Sequence, residues 1–413
     1  MNAVGVVVEY NPFHNGHAYH LEMAKKTANA EVVIAAMSGN FLQRGEPALL
    51  SKWARAKMAL LGGADLVFEL PYQFATQKAE TFANGAVSLL SSVGCQSICF
   101  GSEDGDVNRF YQTASFINNH HDEFQMKIKY HIEKGISYPS AISQAFKDLS
   151  PDEEVIDLSK PNNILGFHYL QAVQKLAPSI NIFTVSRKSA NYHDEHFASS
   201  TIASATSIRK TLFSDDGSIQ GVKQYVPEST YRQLVDYYHA YGSFHSWENY
   251  WPLLRFRLLQ TNPEELRRVY EVEEGIEHRL ISIALTSNSF YDFMKKLKTK
   301  RYTWTRLQRI CLHVLTNSLK SEMSNHDEQV KFLRLLGMTE KGKMYLNKMK
   351  GQTSVPIVSK LSAHQHEPAI KLDIRASRLF ALGAIESKRQ LLLDLDYKQP
   401  PIIIRKQNKN GTQ

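Results

Sequence analysis

Two histidines and a glycine lie close together near the start of the chain, in the stretch VVVEYNPFHNGHAYH. His14 and His17 flank Gly16 after an apolar run, and helix-like periodicity resumes after His17, which predicts a connection from a buried strand to a helix. The first N–H groups of a helix favour anions, and a glycine lets a phosphate approach closely. Two imidazoles here could donate hydrogen bonds to phosphoryl oxygens as charge grows in a transition state, without acting as nucleophiles. The alternative is a solvated histidine pair on the surface.

Further polar candidates follow other apolar runs along the chain. Gly101 follows SICF and predicts either a tight turn at a strand end or a close approach of adenine or ribose to the backbone. Asn162 and Asn163 follow a proline at the start of a helix-like segment, where asparagines also serve as caps. Arg187, with Lys188 beside it, ends the run NIFTVS and suits a triphosphate better than a surface ion pair.

Five short apolar runs have to position these residues. They are AVGVVVEY, EVVIAAMS, ADLVFELP, QSICFGS and NIFTVS. They are too apolar on both faces for a half-exposed antiparallel sheet, and helix-period segments such as SKWARAKMALLGG lie between them, so we predict an α/β fold with a doubly wound parallel sheet. Such sheets bind ligands at the carboxyl ends of their strands, and the candidate residues are therefore expected to meet at one edge.

The pattern changes from about residue 220 to helical segments such as ESTYRQLVDYYHAYG and TRLQRICLHVLTNSL. The turn-rich SDDGS marks the predicted boundary. We predict an α/β domain over residues 1–217, a mainly helical, basic domain over 218–405 and a flexible tail over 406–413. The run PPIIIRK predicts one extra strand in the second domain.

The positive charge of the chain belongs to its second part. Residues 1–220 hold 18 Lys and Arg against 22 Asp and Glu, whereas residues 221–413 hold 31 against 19. Within the second part, residues 291–350 hold 14 basic against 5 acidic side chains, with aromatic residues between them. This asymmetry indicates a polyanion held at a distance from the chemistry, and the alternative is a set of solvated helix faces.

The sequence favours a cytoplasmic protein with no metal centre. No run of about 18 apolar residues occurs, and the N-terminus lacks the basic region and cleavage site of a signal peptide. The three cysteines form no CxxC pair and are predicted to be buried thiols. Asp194 and Glu195 beside His193 are interpreted as a solvated loop rather than a metal or base cluster.

The stretch HNGH resembles the first motif of the HxGH nucleotidyltransferase superfamily, and SATSIRK, about 190 residues later, resembles its second motif. Members of this superfamily join a nucleoside triphosphate to an acceptor by attack at the α-phosphate with release of pyrophosphate. The resemblance implies that Ser204, Thr206 and Ser207 cap a helix that receives phosphates, and that Arg209 neutralises them. The catalytic residues implied are His14, His17 and Arg209.

Motifs along the whole chain narrow this resemblance. VEYNPFHNGH, MSGNFLQRGEPA, KWARAKMAL, FGSE, SKPNNILG, SATSIR and KTKRYTWTRLQR together are similar to the bacterial tRNA(Met) cytidine acetate ligase family. The resemblance implies that ATP, with Mg²⁺ as the expected divalent ion, activates acetate as acetyl-adenylate. The acetyl group then passes to N4 of the wobble cytidine of elongator tRNA(Met).

The same resemblance implies an ATP site that spans both motifs and the strand ends between them. Its expected members are Val7, Val8, Glu9, Tyr10, Asn11, Pro12, Phe13, His14, Asn15, Gly16, His17, His20, Gly101, Asn162, Asn163, Arg187, Lys188, Ser204, Thr206 and Ser207. Only one of the two adjacent asparagines is expected to contact ATP, and the sequence leaves open which one.

The tRNA site is predicted in the basic second part of the chain. The candidate residues are Lys298, Lys300, Arg301 and Arg306. Tyr302 and Trp304 between them are candidates for base stacking or for helix packing, and packing is favoured.

Three rival functions remain open from the sequence. One is a nucleotidyltransferase that acts on a small phosphorylated acceptor, and another is an acetate ligase for a carrier-protein thiol; neither needs a basic second part. The third is an RNA-binding regulator with a degenerate nucleotide domain, which would be expected to lose one of His14, His17 or Arg209, whereas all three are present.

Overall fold

A computed structural model describes residues 1–151, 154–187, 201–324, 328–364 and 366–405. Lys188 and the segment with His193, Asp194 and Glu195 lie outside the described residues.

Eight strands in the described part of the chain form one sheet. They are β1 (Ala3–Val8), β2 (Val32–Ser38), β3 (Leu66–Leu70), β4 (Ser97–Ser102), β5 (Asn181–Ser186), β6 (Leu333–Thr339), β7 (Ile357–Val358) and β8 (Ile402–Ile404). The order is β5-β4-β1-β2-β3-β6-β7, with β8 also paired to β6, and β1 to β5 run parallel. The five apolar runs are therefore all strands as predicted, and the order changes direction between β1 and β4, where doubly wound sheets bind nucleotides.

Nine helices are described before residue 217. They are α1 (Asn15–Thr27), α2 (Lys52–Leu61), α3 (Tyr72–Ala75), α4 (Ala79–Ser92), α5 (Val107–Asn119), α6 (His121–Glu133), α7 (Tyr138–Asp148), α8 (Pro161–Leu176) and α9 (Ala205–Leu212). Ser51 caps α2 by accepting a hydrogen bond from the N–H of Ala54, and Gly62 ends it.

Both faces of the sheet are covered, because alternate residues of the central strands face opposite ways. Val32 and Ile34 of β2 belong to one core cluster, which also holds residues of α4, α5 and α8, whereas Val33 and Ala35 belong to the opposite cluster, which holds residues of α1, α2 and α9. These four side chains are fully buried. The predicted doubly wound α/β class is confirmed.

The second part of the chain is mainly helical, as predicted. Its α-helices are α10 (Glu228–Tyr241), α11 (Trp247–Gln260), α12 (Pro263–Leu266), α13 (Ile276–Thr286), α14 (Phe290–Leu297), α15 (Trp304–Thr316), α16 (Lys320–Met323), α17 (Glu340–Lys348), α18 (Lys371–Leu382) and α19 (Arg389–Lys398). Short 3₁₀ helices lie at Ile219–Tyr225, Leu361–Ala363, Pro368–Ile370 and Glu386–Lys388. Helices α11 to α15 and α18 enclose a further core, which includes Leu254, Phe293 and Ile310 together with Phe41 and Tyr72 from the first part of the chain.

The second part also returns to the sheet. β6 pairs antiparallel with β3, and β7 and β8 pair with β6. PPIIIRK supplies β8 as predicted, but β6 was not predicted, because Arg334 and Gly337 interrupt its apolar run. Arg334 is only 2% exposed and donates to the backbone oxygens of Val358 and Asp396, so burial in the sheet does not require an apolar side chain there. The domain division at residues 217 and 218 stays a prediction.

Two further observations bear on the class of protein. All three cysteines are buried free thiols, as predicted. Among the residues that the structure describes, no helix is both long and apolar enough to cross a membrane.

Candidate active site

The loop after β1 places two imidazoles at the start of α1. α1 begins at Asn15 rather than after His17, because His14 is its N-cap. The Nδ1 atom of His14 accepts a hydrogen bond from the N–H of Gly16 at 3.1 Å, and the Nδ1 atom of His17 accepts one from the N–H of His14 at 3.2 Å. This reciprocal pair is a capping box built from two histidines. The two rings stack with their centroids 3.6 Å apart.

These hydrogen bonds decide which nitrogen of each ring carries the proton. Because both Nδ1 atoms accept from backbone N–H groups, a neutral imidazole at either position has its hydrogen on Nε2. Burial, with smaller contributions from Arg187 and Arg209, lowers the pKa of His14 to about 3. Burial and the neighbouring His14 hold the pKa of His17 well below its ordinary value. Both rings are therefore neutral Nε2–H donors near pH 7.

A glycine is needed at position 16 for a structural reason that the sequence did not reveal. A Cβ at this position would lie 2.9 Å from Cε1 of the His14 ring, which is closer than real Cβ contacts. Glycine is therefore required for the His14 ring to fold over the helix start. Asn15, the other residue between the histidines, donates from its amide to the backbone oxygens of Thr201 and Gln224. Its side chain ties the loop to the segment before and after the second motif.

The second motif forms the start of α9, as the resemblance implied, but only Ser204 is its cap, and Thr206 and Ser207 lie in the first turn. Ser204 is the N-cap, and its Oγ accepts a hydrogen bond from the N–H of Ser207 at 3.0 Å. Both serines are buried, and the Oγ of Ser207 donates to the backbone oxygen of Ser204. Thr206 is half-buried in the first turn. The two serine hydroxyls and the N–H of Ser207 are thus used within the cap. The N–H groups of Ala205 and Thr206, which precede it in the first turn, are what α9 offers to an anion.

Arg209 joins the two motifs. Its Nη1 donates to the backbone oxygen of Asn11 at 2.8 Å, and its Nη2 pairs with the Oε2 of Glu46 at 3.2 Å. The guanidinium therefore lies beside the histidine loop, although about 190 residues separate the motifs. The predicted catalytic group of His14, His17 and Arg209 is brought together.

The β4 flank of the loop holds a second group of predicted residues. A Cβ added to Gly101 would lie 3.4 Å from Cγ of Arg187 and 3.9 Å from Cδ2 of His20, so these three residues are neighbours. Among the described residues, the buried Nε2 of His20 has no hydrogen-bond partner. Burial, followed by Arg187, lowers the pKa of His20 to about 4, so this ring is also neutral near pH 7. Arg187 is exposed and its Nη1 reaches the Oδ1 of Asn162 at 3.5 Å.

The two adjacent asparagines differ in their surroundings. Asn163 is 2% exposed, and its Oδ1 accepts from the N–H groups of Glu103 and Asp104 while its Nδ2 donates to the oxygen of Asp157. Asn162 is half-buried; its Nδ2 donates to the Oε1 of Glu103 at 2.6 Å, and its Oδ1 faces Arg187. The carboxylate of Glu103 accepts from the N–H groups of both asparagines at the start of α8. Asn163 therefore holds the loop after β4, and Asn162 is the one turned toward the candidate site.

Several residues of the predicted ATP site support the loop from below. Val8, Tyr10 and Phe13 belong to the core beneath it, and Tyr10 packs its ring against both Phe13 and His17. Tyr10 has φ at 51°, a backbone conformation that costs about 1–3 kcal/mol and is held by this packing. Asn11 is buried and accepts the N–H of Leu49 at 2.6 Å. Pro12 is also buried, whereas Val7 is half-buried at the end of β1.

Three residues near the site were missed in the sequence. The N–H of Gln43 donates to the Oε1 of Glu9 at 2.8 Å, and Glu46 pairs with Arg209. Arg55 is fully buried. It donates to the backbone oxygens of Glu9, Ser38 and Gly39 at the ends of β1 and β2, and to the backbone oxygen of Leu50. The signal that could have found Gln43 and Glu46 is their position directly after a parallel strand that neighbours β1.

The predicted tRNA residues lie on the surface of the helical part, beside acidic partners. Lys298, Lys300 and Arg301 are exposed. Arg301 and Arg306 each lie 3.6 Å from the carboxylate of a neighbouring glutamate, Glu274 and Glu273 respectively. Tyr302 is 5% exposed and Trp304 packs on the helical core, so both contribute to packing, as favoured.

The 14 basic residues of 291–350 do not form one surface. Arg309 is bound by both oxygens of Glu271, and Arg334 is buried in β6. α17, which carries several of the lysines, packs on β2 and β6 rather than on the helical core. The basic surface of the helical part is therefore smaller than the sequence count indicated.

Comparison with known proteins identifies the family of the chain. Residues 1–392 match the model of the HIGH Nucleotidyl Transferase family. The tRNA(Met) cytidine acetate ligase of Lysinibacillus sphaericus is 48% identical over 404 residues, which cover 97% of this chain and 100% of that protein. The tRNA(Met) cytidine acetate ligase of Bacillus subtilis is 46% identical over 407 residues, 97% of each chain.

Two crystal structures of Thermotoga maritima TmcAL are similar throughout. The apo form matches with a TM-score of 0.90 at 33% identity and covers 98% of this chain and 100% of that one. A form bound with alpha-thio ATP matches with a TM-score of 0.88 at 32% identity over the same shares. With its histidine capping box, its second motif at α9 and these similarities along its whole length, the chain belongs to the HIGH nucleotidyl transferases and, among them, to the tRNA(Met) cytidine acetate ligase family.

Proposed function

We propose that this protein is an ATP-dependent ligase that activates acetate as acetyl-adenylate, releases pyrophosphate, and transfers the acetyl group to N4 of the wobble cytidine of elongator tRNA(Met). The observation that carries the proposal is the pair of neutral Nε2–H imidazoles at the start of α1, beside Arg209, in a chain of this family. A related structure holds an ATP analogue.

The first half-reaction needs stabilisation of negative charge rather than a protein nucleophile. A carboxylate oxygen of acetate attacks the α-phosphorus, and the bond to the bridging oxygen of pyrophosphate breaks. The Nε2–H groups of His14 and His17 donate to the phosphoryl oxygens on which charge develops, and their stacked, capped rings need no rearrangement to do so. Arg187, Arg209 and the first N–H groups of α9 offset the charge of the triphosphate.

The residues described near the phosphate side do not form a metal site of their own. The carboxylate of Glu46 is bound to Arg209, and that of Glu103 is bound to N–H groups of α8. The Mg²⁺ expected with ATP would therefore be held by the phosphates, and we assign it no protein ligand.

The source of the acetyl group provides the experiment that tests this proposal. Pure protein with ATP should release pyrophosphate only when acetate is added, and labelled pyrophosphate should exchange into ATP under the same condition. Acetyl-CoA without ATP should support no acetylation of tRNA. If acetyl-CoA alone supports acetylation, or if pyrophosphate release is independent of acetate, the adenylate scheme is wrong.

The adjacent asparagines give a matched pair of variants. Asn162→Ala should weaken ATP binding by about 10-fold, because losing one hydrogen bond to a charged group costs about 1.5–3 kcal/mol. It should lower stability only slightly, because Glu103 loses the side-chain bond but keeps the N–H groups of both positions. Asn163→Ala should instead lower stability, because it leaves the buried N–H groups of Glu103 and Asp104 without an acceptor. Titration calorimetry with ATP and thermal unfolding check both. The opposite assignment of the two effects would show that Asn163 is the ATP contact.

The basic helical surface is tested by charge reversal. Lys298→Glu, Lys300→Glu and Arg301→Glu together should weaken tRNA binding, and should reduce the slope of affinity against salt concentration by about one for each phosphate that is no longer neutralised. A matched control reverses three exposed lysines near α6 and α7 of the α/β part, Lys129, Lys134 and Lys147. Filter binding from about 50 to 200 mM salt measures both. Normal binding by the first variant across the salt series would place tRNA elsewhere, with Arg375, Arg378, Lys388 and Arg389 as the next candidates.

A further inference from the structure

The histidine loop has two different flanks, because β1 lies between β4 and β2. The β4 flank carries His20, Gly101 and Arg187, which suits a nucleotide at the switch point of the sheet. The β2 flank carries Glu9, held by the N–H of Gln43, together with the ion pair of Glu46 and Arg209. With the nucleotide on the first flank, the second is left for the other reactant.

The segment after β2, residues 39–48, also reaches into the helical part of the chain. The ring of Phe41 packs edge-on against Tyr250 and Phe380. The backbone oxygen of Gly45 accepts a hydrogen bond from the indole of Trp247 at 2.9 Å. A Cβ at Gly45 would lie 2.5 Å from the backbone nitrogen of Arg309, so the segment lies directly on α15. The β2 flank therefore faces the helical part, from which a bound tRNA would deliver its base.

Glu9 is one of two acidic groups on this flank, and the other, Glu46, is paired with Arg209. One carboxylate oxygen is fixed by Gln43, the backbone oxygen of Glu9 accepts from Arg55, and the residue is half-buried. A carboxylate repels phosphate oxygens, so the side chain is unsuited to binding the triphosphate. It is suited to accept a hydrogen bond from an amino group.

We propose that the target cytosine binds on the β2 flank, beside Glu9, and that the Glu9 carboxylate accepts a hydrogen bond and then a proton from its 4-amino group. This inference rests on the proposed function. In the step, the amino nitrogen forms a bond to the acetyl carbonyl carbon, the bond from that carbon to the phosphate oxygen breaks, AMP leaves with the electron pair, and the amino proton passes to Glu9. Atoms and charge balance without a further reactant.

The same contact selects the base. A carboxylate accepts from the amino group of cytosine, whereas uracil presents an acceptor oxygen at that position. Burial, opposed first by the hydrogen bond from Gln43 and then by Arg44 and Arg209, raises the pKa of Glu9 above that of an ordinary glutamate, which brings its basicity closer to that required at neutral pH. The titratable and charged groups that face Glu9 are Arg44, Glu46, Arg55, Tyr169 and Arg209.

The test compares the two half-reactions in a Glu9→Gln variant. Acetate-dependent pyrophosphate exchange measures the formation of acetyl-adenylate. Hydroxylamine attacks acyl-adenylates without a base, so the acetohydroxamate that it forms measures the acetyl-adenylate that the protein makes. The rate of acetyl transfer to tRNA should fall at least about 10²-fold more than the rate of pyrophosphate exchange or of acetohydroxamate formation, as expected for the loss of a general base. The wild-type transfer rate should rise with pH through the pKa of Glu9, and this rise should be absent in the variant. Glu22→Gln, exposed on α1, is the charge-matched control.

Three results would overturn the assignment. Equal losses in exchange and transfer would make Glu9 a part of the ATP site, and no loss in either would remove it from the reaction. A pH profile that is unchanged in Glu9→Gln would give the proton to another group. If Glu9→Gln does not fold, Glu9→Asp, which keeps a carboxylate, is used in its place. It should fold, and its transfer rate should still rise with pH; a transfer rate that does not rise with pH in Glu9→Asp would also contradict the inference. A wild-type protein that forms adenylate but never acetylates tRNA would instead reject the proposed function.

Discussion

Replacing His17 with alanine is expected to slow acetate-dependent pyrophosphate exchange by about 10²- to 10³-fold, the usual effect of removing one preorganised donor to a charged transition state. The Nδ1 of His17 accepts the N–H of His14, which directs its Nε2–H outward and keeps it neutral. Because the donor is already oriented before ATP binds, its loss should affect the rate more than ATP affinity. Exchange kinetics and calorimetry measure the two effects separately.

The capping role of His17 has to be separated from its role in the reaction. Glutamate at the third position of a helix can also accept the N–H of the cap residue, so His17→Glu should restore much of the stability lost in His17→Ala. It should not restore the exchange rate, because a carboxylate has no N–H to donate in place of Nε2. Recovery of both stability and rate in His17→Glu would mean that the histidine acts only as a cap.

Removing the positive charge of Lys52 is expected to destabilise the protein by about 3–5 kcal/mol, the usual cost of leaving buried carboxylates without their partner. The Nζ of Lys52 lies 2.8 Å from Glu69 and 2.8 Å from Asp396, and the lysine is 1% exposed. Burial alone would lower the pKa of Lys52, but the carboxylates of Asp396 and Glu69 together raise it. Urea unfolding of Lys52→Met, a substitution that keeps most of the side-chain volume, measures the loss.

The position of this cluster makes the prediction informative about architecture. Lys52 lies on α2 and Glu69 on β3, whereas Asp396 lies on α19, almost 350 residues later in the chain. Adding Glu69→Gln to Lys52→Met removes one of the buried carboxylates that have lost their partner, so the double variant should be more stable than Lys52→Met alone. If Lys52→Met alone is as stable as the wild type, the cluster does not hold α19 against the sheet.

The sequence predicted the parallel sheet well because each strand from β1 to β5 is apolar on both faces. It also predicted that polar residues at the strand ends would meet, and the structure brings His14, Gly101, Arg187 and Arg209 to that edge. What the pattern could not give is the direction of each side chain. The spacing of residues does not show which backbone groups a side chain will bind. Those backbone partners decide that His14 and His17 form a capping box and that Asn162 and Asn163 have different roles.

The contribution of the second part of the chain to the sheet was the main structural feature missed. Buried Lys52 and Arg334 resemble solvated charges in the sequence, and their partners Glu69 and Asp396 are far away in the chain. For the same reason the basic count over 291–350 overstated the free positive surface, since Arg301, Arg306 and Arg309 have glutamate partners from the loop before α13.

The most direct test of the central claim is the fate of labelled acetate. Pure protein, ATP and isotopically labelled acetate are incubated with bulk bacterial tRNA, which is then digested to nucleosides and separated by mass spectrometry. We expect the label in N4-acetylcytidine alone, at the wobble position of elongator tRNA(Met), and only when both ATP and acetate are present. Label in a different nucleoside, or unlabelled acetylcytidine formed from acetyl-CoA with ATP omitted, would contradict the proposed function.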